Sequence, residues 1–275
     1  MTHQSQNERD VALEPAKLKL GWFSSGRGEG SLGLLQAALK AIDTGQLSAC
    51  IDFVFCNRER GQNDVTDHFL DVVKSHEIPV LTLSSQRFRR EHGGRPWSEL
   101  RECFDNAAMQ LVSTFSPDVT VTAGYMLISP LICQHYRMIN LHPALPGGPT
   151  GIWQDVIWNQ IDHRSKESGV MMNTVTEDVD GGPVLSYCEY PITGVGFDSH
   201  WREIGQLDSE QLKRINGQSL MLFQAIREAG LKREKPFLVA TLQAISEKRI
   251  DITSSGAASP LDLTIEVESV VFEPT

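Results

Sequence analysis

The sequence predicts an open, mostly parallel α/β sheet of the Rossmann-like kind, flanked by helices, with an antiparallel edge and a small C-terminal extension. Three observations carry this expectation. Short apolar runs alternate with helix-period segments from residue 18 to residue 142, and that alternation implies parallel strands joined by helical crossovers. The run DVTVTAG (118–124) carries valines suited to a strand buried on both faces. Beyond residue 165, SGVMMNTVT (168–176) and PVLSYCEYPI (183–192) are joined by the short turn EDVDGG, which makes them antiparallel neighbours.

The elements follow in order. LKLGWF (18–23) is a first strand running into the glycine-rich SSGRGEGS, and residues 32–42 have a helical pattern. IDFVFC (51–56) is a second strand. Residues 65–75 form a helix with Phe69, Val72 and Val73 inward, and PVLTL (79–83) is a third strand. A polar, arginine-rich stretch (84–95) separates this unit from an amphipathic helix over 97–115. DVTVTAG and MINLH (138–142) are the fourth and fifth strands. After the hairpin, residues 212–228 read as one helix with Leu212, Ile215, Ser219, Leu222, Phe223 and Ile226 on a single face. LKREK (231–235) reads as a charged helix end, and LDLTIEVESVVF near the C-terminus as an added strand. The expected organisation is a polar, disordered lead-in (1–16), one catalytic domain (17–230) and an extension (231–275) of unassigned role.

Bulk properties narrow the function. At 275 residues, 40% of them hydrophobic, the chain can bury a sizeable core. A net charge of −10 argues against a general nucleic-acid binder, which needs clustered lysine and arginine. Five scattered cysteines without a CxxC pair suit a reduced compartment, so the cytoplasm is the expected address. No apolar run approaches the roughly 20 residues that span a bilayer.

The chemistry concentrates in two places. INLHPALPGGPTG puts Asn140 and His142 at the end of a strand, where open α/β sheets bind ligands. Residues two apart on a strand point to one side, so the two share a pocket while Leu141 faces the core. TEDVDGGPV puts Asp180 on a tight turn before Gly181 and Gly182. Taken singly, each has an ordinary structural explanation, a polar strand end and an acidic hairpin turn.

Together they resemble the folate-dependent formyltransferase family, and within it the glycinamide ribonucleotide transformylases. AGYMLISP (123–130), INLHPALP (139–146) and SGVMMNTVTEDVDGGPV (168–184) carry the likeness in order, with 38 residues from His142 to Asp180. It covers roughly residues 18–229. The resemblance implies that 10-formyltetrahydrofolate is the formyl donor and a small amine the acceptor. Asn140 would stabilise the oxyanion, His142 would act as general acid/base, and Asp180 would be its electrostatic partner. No metal and no covalent enzyme intermediate are required. The same resemblance places the pterin against Tyr125, Met126, Leu127 and Ile128, and against Val175, Thr176, Glu177, Asp178 and Val179. For the acceptor it implies Gly26, Arg27 and Gly28 in the first loop, with Asn173 and Gln218.

The departures from the family fall on these contacts. Leu127 follows Met126 where the transformylases have an arginine. The first loop is longer than their SGxGSN-type loop. Asn173 replaces a histidine, and Gln218 a glutamate. Expected partners are a small-molecule amine but neither nucleic acid nor membrane. Methionyl-tRNA formyltransferase is disfavoured because no basic C-terminal domain is evident, and a homodimer stays open. Competing readings are a formyltetrahydrofolate hydrolase, an amino-sugar N-formyltransferase and a non-catalytic folate or nucleotide binder.

Overall fold

A computed structural model describes residues 16–125, 127, 130–178, 180–253 and 259–272. Met126, Ile128 and Val179, and nearly all of the lead-in, lie outside the described residues. The first half is built from β1 (Leu18–Ser24), α1 (Glu29–Asp43), β2 (Ala49–Cys56), α2 (Asp64–Ser75), β3 (Val80–Thr82), α3 (Ser85–Glu91), α4 (Trp97–Val112) and β4 (Val119–Thr122). The second half holds α5 (Ile132–His135), β5 (Met138–His142), α6 (Trp153–Asp162), β6 (Glu167–Thr174), β7 (Val184–Pro191), α7 (Asp198–Ile204), α8 (Ser209–Ile215), α9 (Met221–Ser246), β8 (Leu261–Asp262) and α10 (Thr264–Val271).

These strands form one eight-stranded sheet in the order β3-β2-β1-β4-β5-β6-β7-β8. The pairs from β3 through β5 are parallel, β6 runs antiparallel to both of its neighbours, and β8 lies parallel to β7. The predicted open sheet with an antiparallel edge is thus the fold. Strand order reverses between β1 and β4. The crevice outside their carboxyl ends is where such sheets take ligands. Two aliphatic and aromatic layers cover the faces. Leu35, Phe69, Val121, Phe237 and Leu242 belong to one core, built by α1, α2, α9 and α10. Phe23, Phe53, Phe55, Leu100 and Phe104 belong to the other, beside α3 and α4.

Four expectations are corrected. The stretch 84–95 contains α3, whose N-cap Ser84 accepts a hydrogen bond from the Arg87 N–H at 3.1 Å. The helix expected over 212–228 is broken: α8 ends at Ile215, a 3₁₀ turn (Gly217–Ser219) follows, and α9 starts at Met221. Gly217 has φ +55°, which stops a helix without strain, and Ile215 is 66% exposed. LKREK lies inside α9, where Arg233 and Glu234 are buried. Arg233 makes a two-point pair with Glu268 at 2.5 and 3.0 Å, tying α10 to α9. The C-terminal segment contributes only the two-residue strand β8 and then becomes a helix. α9 crosses residue 230 unbroken, and Phe237, Leu238, Leu242, Leu263 and Val267 lie in the same core as β1 and β4.

Candidate active site

Register gathers the polar side chains. Asn140 on β5 lies opposite Thr122 on β4 and opposite Asn173 on β6. Partners across a pair share a face, so all three project to the side of the sheet that carries Met138 and the aromatic core. His142, two residues on, projects there too and is 2% exposed. Leu141 and Met172 pack in the opposite core, as the alternation requires.

Asp180 closes the group from the β6–β7 turn. Its backbone has φ +54°, a conformation that aspartate tolerates better than most residues. One carboxylate oxygen accepts from Asn140 Nδ2 at 3.3 Å. The other lies 3.4 Å from His142 Nδ1 and accepts from the Gly151 N–H at 3.1 Å. A carboxylate only accepts, so the Asn140 nitrogen must face Asp180 and its oxygen must face Thr122. The Thr122 hydroxyl, with one hydrogen to give, lies 3.0 Å from both that oxygen and the Ile139 carbonyl. The Asn140 amide is thereby fixed in one orientation, with a second N–H hydrogen left to donate. His142 Nε2 sits 2.8 Å from the Pro149 carbonyl, which also only accepts, so Nε2 carries a hydrogen. The loop over Pro149–Gly151 therefore straps both members of the His142–Asp180 pair.

The segments expected to meet the pterin converge. Tyr125, Leu127 and Val175 pack against the same aromatic core, with the Tyr125 ring 5.4 Å from that of Phe23. Thr176 donates to the Asp178 carbonyl at 3.1 Å, and Glu177 accepts from Gln134 at 2.6 Å, so both are engaged in shaping the turn. Asp178 is exposed. In the first loop, Gly26 has φ +56° and Gly28 caps α1 with extended backbone. Arg27 is exposed there. Gln218 lies on the exposed 3₁₀ turn, not on a helix, and its carbonyl accepts from Gln224 at 2.5 Å.

Two features escaped the sequence. Arg58, just past β2, is half-buried next to Arg27. Burial and then the Arg27 charge lower its pKa, so two cations crowd the carboxyl ends of β1 and β2. Along α4, Trp97, Arg101 and Asp105 recur every fourth residue and share a face. Trp97 Nε1 and Arg101 Nε are buried N–H groups without an acceptor. Asp105 accepts from the backbone N–H groups of Leu131 and Ile132 at 2.9 and 3.4 Å, which points this face at the chain following β4. Spacing of four on α4 was readable. What that face would meet was not.

Burial pushes the Asp105 carboxyl up to about 6, against 3.8 ordinarily, although the two backbone N–H groups oppose the shift. The folded state therefore favours protonated Asp105. This contribution is present in full below the unfolded value and is lost as pH rises through about 6. Asp105→Asn should remove that loss, on the order of 1–3 kcal/mol, and leave a variant that gains on the wild type as pH rises from about 4 to about 7. Urea midpoints across that pH range check it; parallel curves for the two proteins would refute the assignment.

An open α/β sheet with an amide donor, an imidazole and a carboxylate gathered near its switch point defines an enzyme equipped to polarise a carbonyl and move a proton. More particularly, the chain belongs to the formyl transferase family, whose profile matches residues 25–198. It is 31% identical over 173 residues to phosphoribosylglycinamide formyltransferase of Dictyostelium discoideum, covering 58% of this chain and 78% of that one. Against the Escherichia coli enzyme of the same name, identity is 28% over 162 residues, covering 58% and 68%. Among solved structures, glycinamide ribonucleotide transformylase 1 from Symbiobacterium toebii superposes with TM-score 0.63 at 17% identity, covering 88% of this chain and 94% of that one. A formyltetrahydrofolate deformylase from Burkholderia mallei gives 0.60 at 17% identity, covering 88% and 69%. At such identities the two structures speak for the fold.

Proposed function

We propose that this enzyme transfers the formyl group of 10-formyltetrahydrofolate directly to the amine of a small phosphorylated acceptor, with glycinamide ribonucleotide the first candidate. The observation that carries the reading is the Asn140–His142–Asp180 constellation in a member of the formyl transferase family. Asn140 donates its remaining N–H to the formyl oxygen as charge develops there. Once the Pro149 carbonyl yields its hold on Nε2, His142, held by Asp180, gives that hydrogen to the departing donor nitrogen and takes up the one released from the amine. Asp180 fixes the imidazole.

The residues present fit the donor. Tyr125, Leu127 and Val175 offer an apolar wall for a pterin ring. The acceptor-less N–H groups of Trp97 and Arg101 suit its tail, and Arg101 supplies there the cation that Leu127 lacks. The bound donor supplies the formyl carbon. Thr176, Glu177 and Asp178 complete the proposed donor contacts, with Met126, Ile128 and Val179, which lie outside the described residues. Arg27 and Arg58, with the backbone of Gly26 and Gly28, form the proposed phosphate site. Asn173 and Gln218 complete the acceptor side. The five cysteines are all free, which supports a cytoplasmic location.

Purified protein supplied with 10-formyltetrahydrofolate should form tetrahydrofolate, followed by absorbance, only when glycinamide ribonucleotide is added. Equal formation without the amine would point to a hydrolase and reject this reading. No formation in either case would reject glycinamide ribonucleotide as acceptor.

A further inference from the structure

Asn173 carries an amide oxygen that the fold leaves without a partner. The residue is 2% exposed, and its Nδ2 donates to the Thr174 carbonyl at 3.1 Å. That carbonyl only accepts, so the nitrogen end is fixed and Oδ1 is turned the other way. Oδ1 is buried and has no hydrogen-bond partner. A buried acceptor left unsatisfied costs about 1–3 kcal/mol, and such groups in a native protein call for an explanation. Its position supplies one. Asn173 lies directly opposite Asn140 across the β5–β6 pair, on the same face of the sheet. The β6–β7 register also shifts between Met172 and Asn173, a bulge of the kind that re-aims a side chain beside a site.

We infer that Asn173 Oδ1 accepts a hydrogen from the attacking amine, and that the enzyme thereby selects primary over secondary amines; the inference rests on the formyl-transfer reading above. The amine lone pair forms the new C–N bond while the carbonyl π pair moves to oxygen, toward Asn140. That pair returns as the bond to the donor nitrogen breaks. The donor nitrogen takes one proton and the amine nitrogen gives one up, so the exchange balances. A primary amine has two hydrogens, one for Asn173 and one to be released by way of His142. A secondary amine has only the hydrogen it must release, and Asn173 Oδ1 stays unsatisfied. Asn173 would thus supply the amine-receiving group on the sheet, whereas Gln218 lies on an exposed turn.

The test uses the full chain, 10-formyltetrahydrofolate and glycinamide ribonucleotide, with Asn173→Leu, which removes the acceptor, and Asn173→Asp, which keeps an oxygen of the same reach. Donor affinity is measured separately by titration. Asn173→Leu should raise the KM for the amine about tenfold and leave donor affinity unchanged. Asn173→Asp should keep the amine KM near that of the wild type, even as its added negative charge lowers kcat. Equal rises in KM for both variants, or no rise in Asn173→Leu, would overturn the inference, since packing alone would then explain the residue. A wild type that binds the donor but does not formylate the amine would remove the acceptor that the inference requires. A wild type that fails to bind the donor would bring down the parent reading with it.

Discussion

Asn140→Ala should lower kcat by about 10²–10³-fold while donor affinity stays within about twofold of the wild type. The loss is large because nothing else replaces the donor. Asp180 holds one N–H hydrogen of Asn140 and Thr122 lies against its amide oxygen, so the second hydrogen is oriented before any substrate arrives. A group fixed in advance stabilises the developing oxyanion without reorganising, which is why it acts on kcat rather than on binding. His142→Ala should fall by a similar factor, and the double variant only slightly further, because residues that act as a unit are not additive. Steady-state kinetics on the three variants, with donor titrations alongside, check this. Independent losses that multiply in the double variant would contradict the shared role.

Gly182→Ala should abolish activity and lower stability by more than 3 kcal/mol, on the order of the severest backbone clashes. A Cβ at this position would lie 1.9 Å from the Thr174 carbonyl oxygen, a backbone atom that cannot swing away. Thr174 N–H also bonds the Pro183 carbonyl at 2.9 Å, so the base of the turn is pinned on both sides. Relief of the clash has to open the turn, and the turn is what carries Asp180 to Asn140 and His142. Urea unfolding midpoints and turnover should therefore fall together. Gly181→Ala is the milder comparison: its Cβ would meet Asp178 Cβ at 3.0 Å, a contact that a shift of a few tenths of an ångström relieves. Wild-type stability in Gly182→Ala would show that the turn is not rigid and that Asp180 is positioned by other means.

The grouping of Asn140, His142 and Asp180 was legible because it depends on local rules. Period-two alternation puts Asn140 and His142 on one face, and Asp-Gly-Gly marks a tight turn. Partners brought in by strand register were not legible. Thr122 meets Asn140 only because β4 and β5 pair in parallel at that offset, and Arg58 meets Arg27 only because β2 lies beside β1. The C-terminal segment misled for a different reason. Leu263, Ile265, Val267 and Val271 fall on alternate positions, as in a strand, yet the same residues also contain a spacing of four. The structure uses that second period: Leu263 and Val267 are fully buried, Val271 packs against the same core, and Ile265 is 83% exposed. Ambiguity of this kind is settled by what the segment packs against, here α9 through Arg233 and Glu268. The break before α9 was hidden similarly, because Ile215 continues the apolar period of the sequence but faces solvent.

The fate of the formyl carbon tests the central claim most directly. With 10-formyltetrahydrofolate labelled at that carbon and glycinamide ribonucleotide present, the wild type should place the label on the amine nitrogen, and Asn140→Ala should do so about 10²–10³-fold more slowly. Label recovered as formate, or transfer at an equal rate in the two proteins, would contradict the account.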